Sequence, residues 1–198
     1  KKKFSPLPIA VRSSSFDEDS WETANAGKFH SELNVNSENL GNINDAIERV
    51  LGSYVIDHRD NQVLVQAMVQ DVAMSGVVFT RTVRSDAPYY VINYDDTSGR
   101  TDTVTGGISD HNKTFVFHRT SSESLVDDPR LTDVILAVKE LEQLVGYGRL
   151  DIEFAVSNDG SVHILQLRPI AIQHKEYSFD DRSLELLIED AETRFRLP

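Results

Sequence analysis

Helix-like and strand-like periodicities fall in separate blocks along this chain, and that segregation predicts an α+β fold. Four short β patterns crowd into residues 62–119. Helical apolar stripes occupy 38–54, 131–145 and 178–196, and two more strands are expected at 150–156 and 161–168. At 198 residues the chain can form one domain with a real core, with or without an appendage.

Pro8-Ile9-Ala10-Val11-Arg12 reads as a short strand running into a polar loop. Residues 13–32 are rich in Ser, Asp, Asn and Gly and read as one long loop, a length that in compact domains often carries function. Leu40, Ile43, Ile47, Val50, Leu51 and Tyr54 recur at helical spacing, with Ser37 as the expected N-cap. Strands follow at 62–69, 76–82, 89–94 and 114–119, separated by Gly, Asp, Asn and Pro. The stripe Val134, Ile135, Val138, Leu141, Leu144 and Val145 predicts a helix closed by Gly146. Leu184, Leu187, Ile188, Ala191 and Phe195 mark the last helix, with Asp180 or Asp181 at its start. It follows a polar stretch, so the main body is expected over 1–176, with 177–198 as a C-terminal helix or linker.

The most informative stretch is Leu150-Asp151-Ile152-Glu153-Phe154-Ala155-Val156, a turn, and His163-Ile164-Leu165-Gln166-Leu167-Arg168-Pro169. Alternation puts Asp151 and Glu153 on one strand face, and Gln166 and Arg168 on one face of the next. Asp159-Gly160 is a favoured two-residue hairpin loop. With that loop Asn158 pairs with Ser161, Glu153 lies opposite Gln166, and Asp151 lies opposite Arg168. The polar groups then share one face. Two readings fit: a site for Mg²⁺ and phosphate, with Glu153 and Gln166 as oxygen ligands and Arg168 as the charge stabiliser, or a surface hairpin with an Asp151–Arg168 ion pair.

Thirty-two acidic against twenty basic residues give a formal charge of −12, which makes nucleic acid and anionic membrane poor partners. An acidic chain that binds a polyphosphate is expected to gather its few arginines and its metal at one place. Cysteine is absent, which rules out disulfides and thiolate chemistry and fits a cytoplasmic location. No apolar run approaches the ~18 residues of a membrane span, and Lys1-Lys2-Lys3-Phe4-Ser5-Pro6 lacks the apolar stretch of a signal peptide. His30, His58, His111, His118, His163 and His174 show no His-x-x-x-His spacing, and none is expected as a metal ligand or phosphoryl carrier. In the hairpin, His163 is expected on the face opposite Gln166.

Several blocks in order resemble the ATP-grasp domain of phosphoenolpyruvate synthase, pyruvate phosphate dikinase and rifampicin phosphotransferase. They are Val11-Arg12-Ser13-Ser14-Ser15, Glu18-Asp19-Ser20, Ala26-Gly27-Lys28-Phe29, Leu33-Asn34-Val35, Val65-Gln66-Ala67-Met68-Val69, Ser75-Gly76-Val77-Val78-Phe79-Thr80, and the 150–170 hairpin. Together they cover about residues 8–172.

The resemblance implies an ATP-grasp C-terminal lobe with a mixed, mostly antiparallel sheet and flanking helices. It implies ATP and Mg²⁺ as cofactors, Arg12 and Arg168 as catalytic phosphate contacts, and Gly27 in a loop over the phosphates with Ser31 just after it. Gln66, Met68 and Val69 would line adenine, their strand offering backbone N–H and C=O to its edge, and Glu153 and Gln166 would hold the metal. The implied activity is phosphoryl transfer from ATP to a carrier histidine or a small acceptor. A non-catalytic nucleotide-binding or regulatory module of the same fold is the alternative. The family's lysine-bearing N-terminal lobe and its phosphohistidine and phosphoenolpyruvate domains have no counterpart here, so the chain reads as part of a larger protein and is expected to be inactive alone. The segment Tyr94–Asp102 stands where better-known members carry Gly-Leu-Gly-Glu; its Asp95, Asp96 and Asp102 otherwise read as a solvated acidic turn. The oligomeric state is not legible.

Overall fold

β1 (Ile9–Ser14) is the middle strand of a three-stranded antiparallel sheet, flanked by β4 (Ser31–Val35) and β5 (Gln62–Ala67). The computed structural model describes residues 6–14, 19–20, 23–24, 30–54, 58–101, 112–170 and 181–195. The chain divides into two compact units, Lys1–Asp71 and Val72–Pro198.

In the first unit, Ile9, Val11 and Val35 project to one face of the sheet and bury Ala46 and Val50 of α1 (Leu40–Gly52). Asn39 caps α1, its Oδ1 accepting from the Gly41 amide at 2.9 Å and the Asn42 amide at 3.3 Å. The cap expected at Ser37 is displaced by two residues, and Ser37 is buried instead. Leu40 and Leu51, assigned from periodicity to the apolar stripe, are exposed at 55% and 45%. Ala46 takes the central contact because a small side chain lets the helix lie close to the sheet. The segment 13–32 is not one loop: β1 runs to Ser14, β4 begins at Ser31, and a two-residue ladder joins β2 (Asp19–Ser20) to β3 (Thr23–Ala24). These strands are polar, so no apolar alternation announces them.

The second unit is a five-stranded sheet in the order β10-β9-β6-β7-β8. The strands are β6 (Val72–Phe79), β7 (Tyr89–Asp95), β8 (Lys113–His118), β9 (Leu150–Ser157) and β10 (Val162–Pro169). Each described pairing is antiparallel. Met74, Val78, Tyr90, Ile92, Ile152 and Phe154 face α2 (Pro129–Val145) and bury its Leu131, Val134, Ile135 and Val138. Asp128 caps α2 by accepting from the Arg130 amide at 2.9 Å, and Pro129 opens it, two residues earlier than the stripe predicts. Gly146 ends α2 in the left-handed region at φ 68°, as its sequence position implies.

Leu144 and Val145 are exposed, against expectation. In this last turn Glu142 takes the inward position, accepting from Tyr90 Oη at 2.6 Å and pairing with Arg119 at 2.7 Å. Asp95 is also buried, not solvated: its Oδ1 accepts from the Thr97 amide and hydroxyl, each at 2.8 Å, and from the Ser98 amide at 3.0 Å. Asp96 pairs with Lys113 and Arg130, and Asp102 lies outside the described residues. In α3 (Asp181–Phe195), Leu184, Ile188 and Ala191 are half-buried while Leu187 is exposed. Among the described residues no helix is long and apolar enough to cross a membrane.

Gly76 of β6 pairs with Tyr94 of β7 at a position with no room for a side chain. A Cβ there would lie 2.2 Å from the Asn93 carbonyl oxygen and 2.9 Å from Tyr94 Cα. Both obstacles are backbone, so neither can rotate away. Gly76→Ala is therefore expected to destabilise the fold by about 3 kcal/mol, read as a lowered urea midpoint. A wild-type midpoint would contradict this close approach.

Candidate functional site

The β9–β10 hairpin brings four polar side chains together through its register. Gln166 lies opposite Glu153 and Arg168 opposite Asp151, as the sequence predicts. The route to that register differs from the expected one. Ser157 and Ser161 close a three-residue loop, the Ser157 amide donating to the Ser161 carbonyl at 3.1 Å. Gly160 takes φ 86°, and Val162, His163 and Ile164 pair one step out of the expected register. An irregularity between Ile164 and Gln166 then absorbs one residue and restores it. Two departures from the predicted hairpin cancel before the polar pairs are reached.

The shift moves His163. It pairs with Ala155, so it shares the face of Glu153 and Gln166 instead of the opposite one. Its Nε2 lies 3.1 Å from Ser157 Oγ, which donates to Asp159 Oδ1 at 2.6 Å. The sequence did carry a signal: Ile164-Leu165 is an apolar doublet inside an alternating strand, which marks a bulge.

Asp151 and Glu153 are each only 8% exposed. Phe79 and Val77 of β6 lie opposite them on the other side of β9, so the carboxylates are flanked by an apolar strand and a polar one. Arg168 Nε donates to Asp151 Oδ2 at 2.7 Å. Asp151 Oδ1 is buried and accepts from nothing among the described residues. Burial pushes the Asp151 carboxyl above its ordinary value, and the Arg168 charge and hydrogen bond only partly offset this. A buried acceptor with no donor is costly and suits a ligand that brings its own positive charge.

Glu153, Gln166 and Asp151 form a set of hard oxygen donors. Among the described residues there is no cluster of three or more His, Cys, Asp or Glu side chains able to hold a metal. Mg²⁺ takes as few as one or two protein oxygen ligands and completes its shell with phosphate oxygens and water, so the paired Glu153 and Gln166 are chemically compatible with it.

In the first unit, Arg12 pairs across the sheet with Ser31 on β4 and Leu64 on β5, and Gln66 lies opposite Ala10. All five share the face turned away from α1. β5 ends at Ala67, two residues before the segment expected to line adenine is complete. The Met68 amide donates to the Pro8 carbonyl at 2.9 Å, and the Met68 carbonyl accepts from Gln70 Nε2 at 3.0 Å. Gly27 lies outside the described residues.

The family described as the AMP/ATP-binding domain of pyruvate phosphate dikinase matches residues 1–128. That is well over half of the 198 residues. The chain belongs to this family. Its α+β architecture is of the ATP-grasp kind. Among curated proteins, none matches the chain. The family match takes in all of the first unit and the second as far as Asp128, so the hairpin of this AMP/ATP-binding domain stands on its geometry and on its sequence blocks.

The Asp151–Arg168 pair makes a pH-dependent expectation. Arg168→Ala removes the only donor described for a buried carboxylate, and the Asp151 pKa rises further. Native Asp151 then holds its proton more tightly than the unfolded chain does. A raised native pKa gives stability that is complete below the unfolded value and is lost as pH rises through the native one. The variant should thus be near wild type at pH 4 and less stable by about 3 kcal/mol at pH 8. Adding Asp151→Asn should recover most of that loss. Denaturant midpoints at the two pH values check this, and a deficit independent of pH would contradict it.

Proposed function

We propose that this domain binds Mg·ATP for phosphoryl transfer to a carrier histidine or a small-molecule acceptor. The observation that carries the reading is the β9–β10 register, which sets Glu153 opposite Gln166 and Arg168 opposite Asp151 on one face, with both carboxylates buried. Glu153 and Gln166 would hold the metal, which when bound neutralises charge across the phosphate oxygens. Arg168, anchored through Nε by Asp151, would present its guanidinium to the transferring phosphoryl group, a fixed charge that need not reorganise during reaction.

Arg12 and Ser31, a cross-strand pair, fit a second phosphate contact, and Gly27, which falls between them in sequence, would cover the phosphates. Gln66, Met68 and Val69 fit the adenine edge. Because the Met68 amide and carbonyl are used internally, Met68 would contribute its side chain and Val69 its backbone. This is the common division in nucleotide pockets, apolar contact on the base face and few backbone bonds on its edge. The phosphate site would be completed by a lysine-bearing lobe upstream, and a phosphohistidine and a phosphoenolpyruvate domain would take the phosphoryl group onward. The compartment that fits a cysteine-free chain is the cytoplasm.

Calorimetry of Mg·ATP binding, on this chain and on a version extended upstream, tests the reading. The extended protein should bind more tightly, and Glu153→Ala and Gln166→Ala should each weaken binding by roughly tenfold or more with Mg²⁺ present. Both should have much less effect on ATP measured in EDTA. In the complete enzyme, Arg168→Ala should lower turnover by roughly 10²-fold or more. If extended wild type and Glu153→Ala bind Mg·ATP equally well, the metal assignment fails. Tight binding without any transfer would favour a nucleotide-sensing module.

A further inference from the structure

Three arginines of the second unit gather around one end of α3. Arg81 grips Asp181, the first residue of α3, in a forked pair: Nη1 donates to Oδ2 at 2.9 Å and Nη2 to Oδ1 at 2.5 Å. The same guanidinium donates through Nε to the Asp86 carbonyl and to Asp86 Oδ1, each at 2.9 Å. Arg149 holds Asp86 from another side, Nη2 to Oδ2 at 2.6 Å and Nε to Oδ1 at 3.0 Å. Arg119 is tied to Glu142 and to the Thr80 carbonyl. The Arg81 hydrogen bond, with the charges of Arg119 and Arg149 behind it, holds the Asp181 carboxyl below its ordinary value.

This socket is built firmly on the body side and lightly on the helix side. Arg81 is 12% exposed and Asp86 15%, and the 82–87 turn is pinned by the Asp86 amide donating to the Thr82 carbonyl at 2.9 Å. Asp86 takes φ 52°, an unusual backbone for a non-glycine residue that presents its carboxylate to both arginines. On α3, by contrast, none of the described side chains is fully buried, and Leu186 and Leu187 are 58% and 66% exposed. Among the described side chains of α3, the half-buried apolar ones are Leu184, Ile188 and Ala191. A weak apolar seat beside a forked ion pair means that charge largely decides whether the helix stays down.

We propose that Arg81, set by Asp86 and Arg149, is an ionic latch that locks the N-terminal end of α3 onto the second unit through Asp181, and that opening it frees the helix without disturbing the sheet. The latch is argued from the contacts of Arg81, Asp86, Arg149 and Asp181, none of which is assigned to the nucleotide.

Hydrogen exchange read by mass spectrometry tests it on the whole chain, at low salt and at ~1 M salt, where the Debye length falls to about 3 Å. Asp181→Asn and Arg81→Gln should each speed exchange of the α3 amides by roughly three- to tenfold at low salt, with β6 and β9 unchanged. Combining them should add little, and high salt should bring wild type toward the variants. If Arg81→Gln slows or speeds exchange in the strands as well, Arg81→Lys, which keeps the charge and loses the fork, takes its place with partial release expected. Wild-type α3 exchange in the Arg81 variant overturns the latch. So does an effect seen with Asp181→Asn alone, since that reports only a change at the helix end.

Discussion

The register between β9 and β10 is the constraint on which the candidate chemistry rests. A one-residue slip would turn Gln166 and Arg168 toward α2 and bury an amide and a guanidinium in an apolar core. The chain avoids this with two compensating features, a three-residue loop closed by Gly160 and a bulge beside Leu165. The pairing is held on the other side too: β6 fixes Val77 against Glu153 and Phe79 against Asp151. With β9 pinned between two strands, its carboxylates have little freedom to leave the face they share.

That face carries an electrostatic strain. Two carboxylates, each 8% exposed, lie on one strand with one arginine bonded to the nearer of them. The Asp151 carboxyl is pushed up by burial, and one of its oxygens has no donor among the described residues. A core built for stability alone would place apolar side chains here, as it does on the other face with Ile152 and Phe154. Unfavourable burial that a cation would relieve is the physical form of a site kept ready for a charged ligand.

Much of this was legible in the sequence, for identifiable reasons. Strands with clear alternation and helices with caps were found within a few residues, and Gly146 ended α2 where a left-handed residue was needed. The Glu153–Gln166 and Asp151–Arg168 pairs were also found, though through a two-residue loop that the chain does not form. His163 shows what that shortcut missed, because it sits on the stretch between the two compensating shifts and changes face. β4 was hidden by its composition, Ser31-Glu32-Leu33-Asn34-Val35, in which pairing to β1 and not apolar pattern makes the strand. The exposed Leu144 and Leu187 fail for a different cause: periodicity says which residues align, but not how far the partner surface extends.

The distribution of arginine bears on how an acidic domain could hold a polyphosphate. Arginines gathered at one phosphate site were expected, yet in the second unit Arg81, Arg119, Arg130 and Arg149 are each committed to internal acids: Asp181 with Asp86, Glu142, Asp128, and Asp86 again. They build the end of the sheet and seat its helices. Arg168 alone among these pairs with a residue on the hairpin's polar face, and its described bond there uses Nε. Four arginines of this unit are thus engaged by its own acids. Under the proposed reading, a divalent cation held by Glu153 and Gln166 would meet most of the charge of an ATP tail, with Arg168 beside it. Under the same reading, a nucleotide without its metal would bind less well to a face that carries two carboxylates. The proposed metal dependence would then reflect where the chain has placed its positive charge as well as the identity of its ligands.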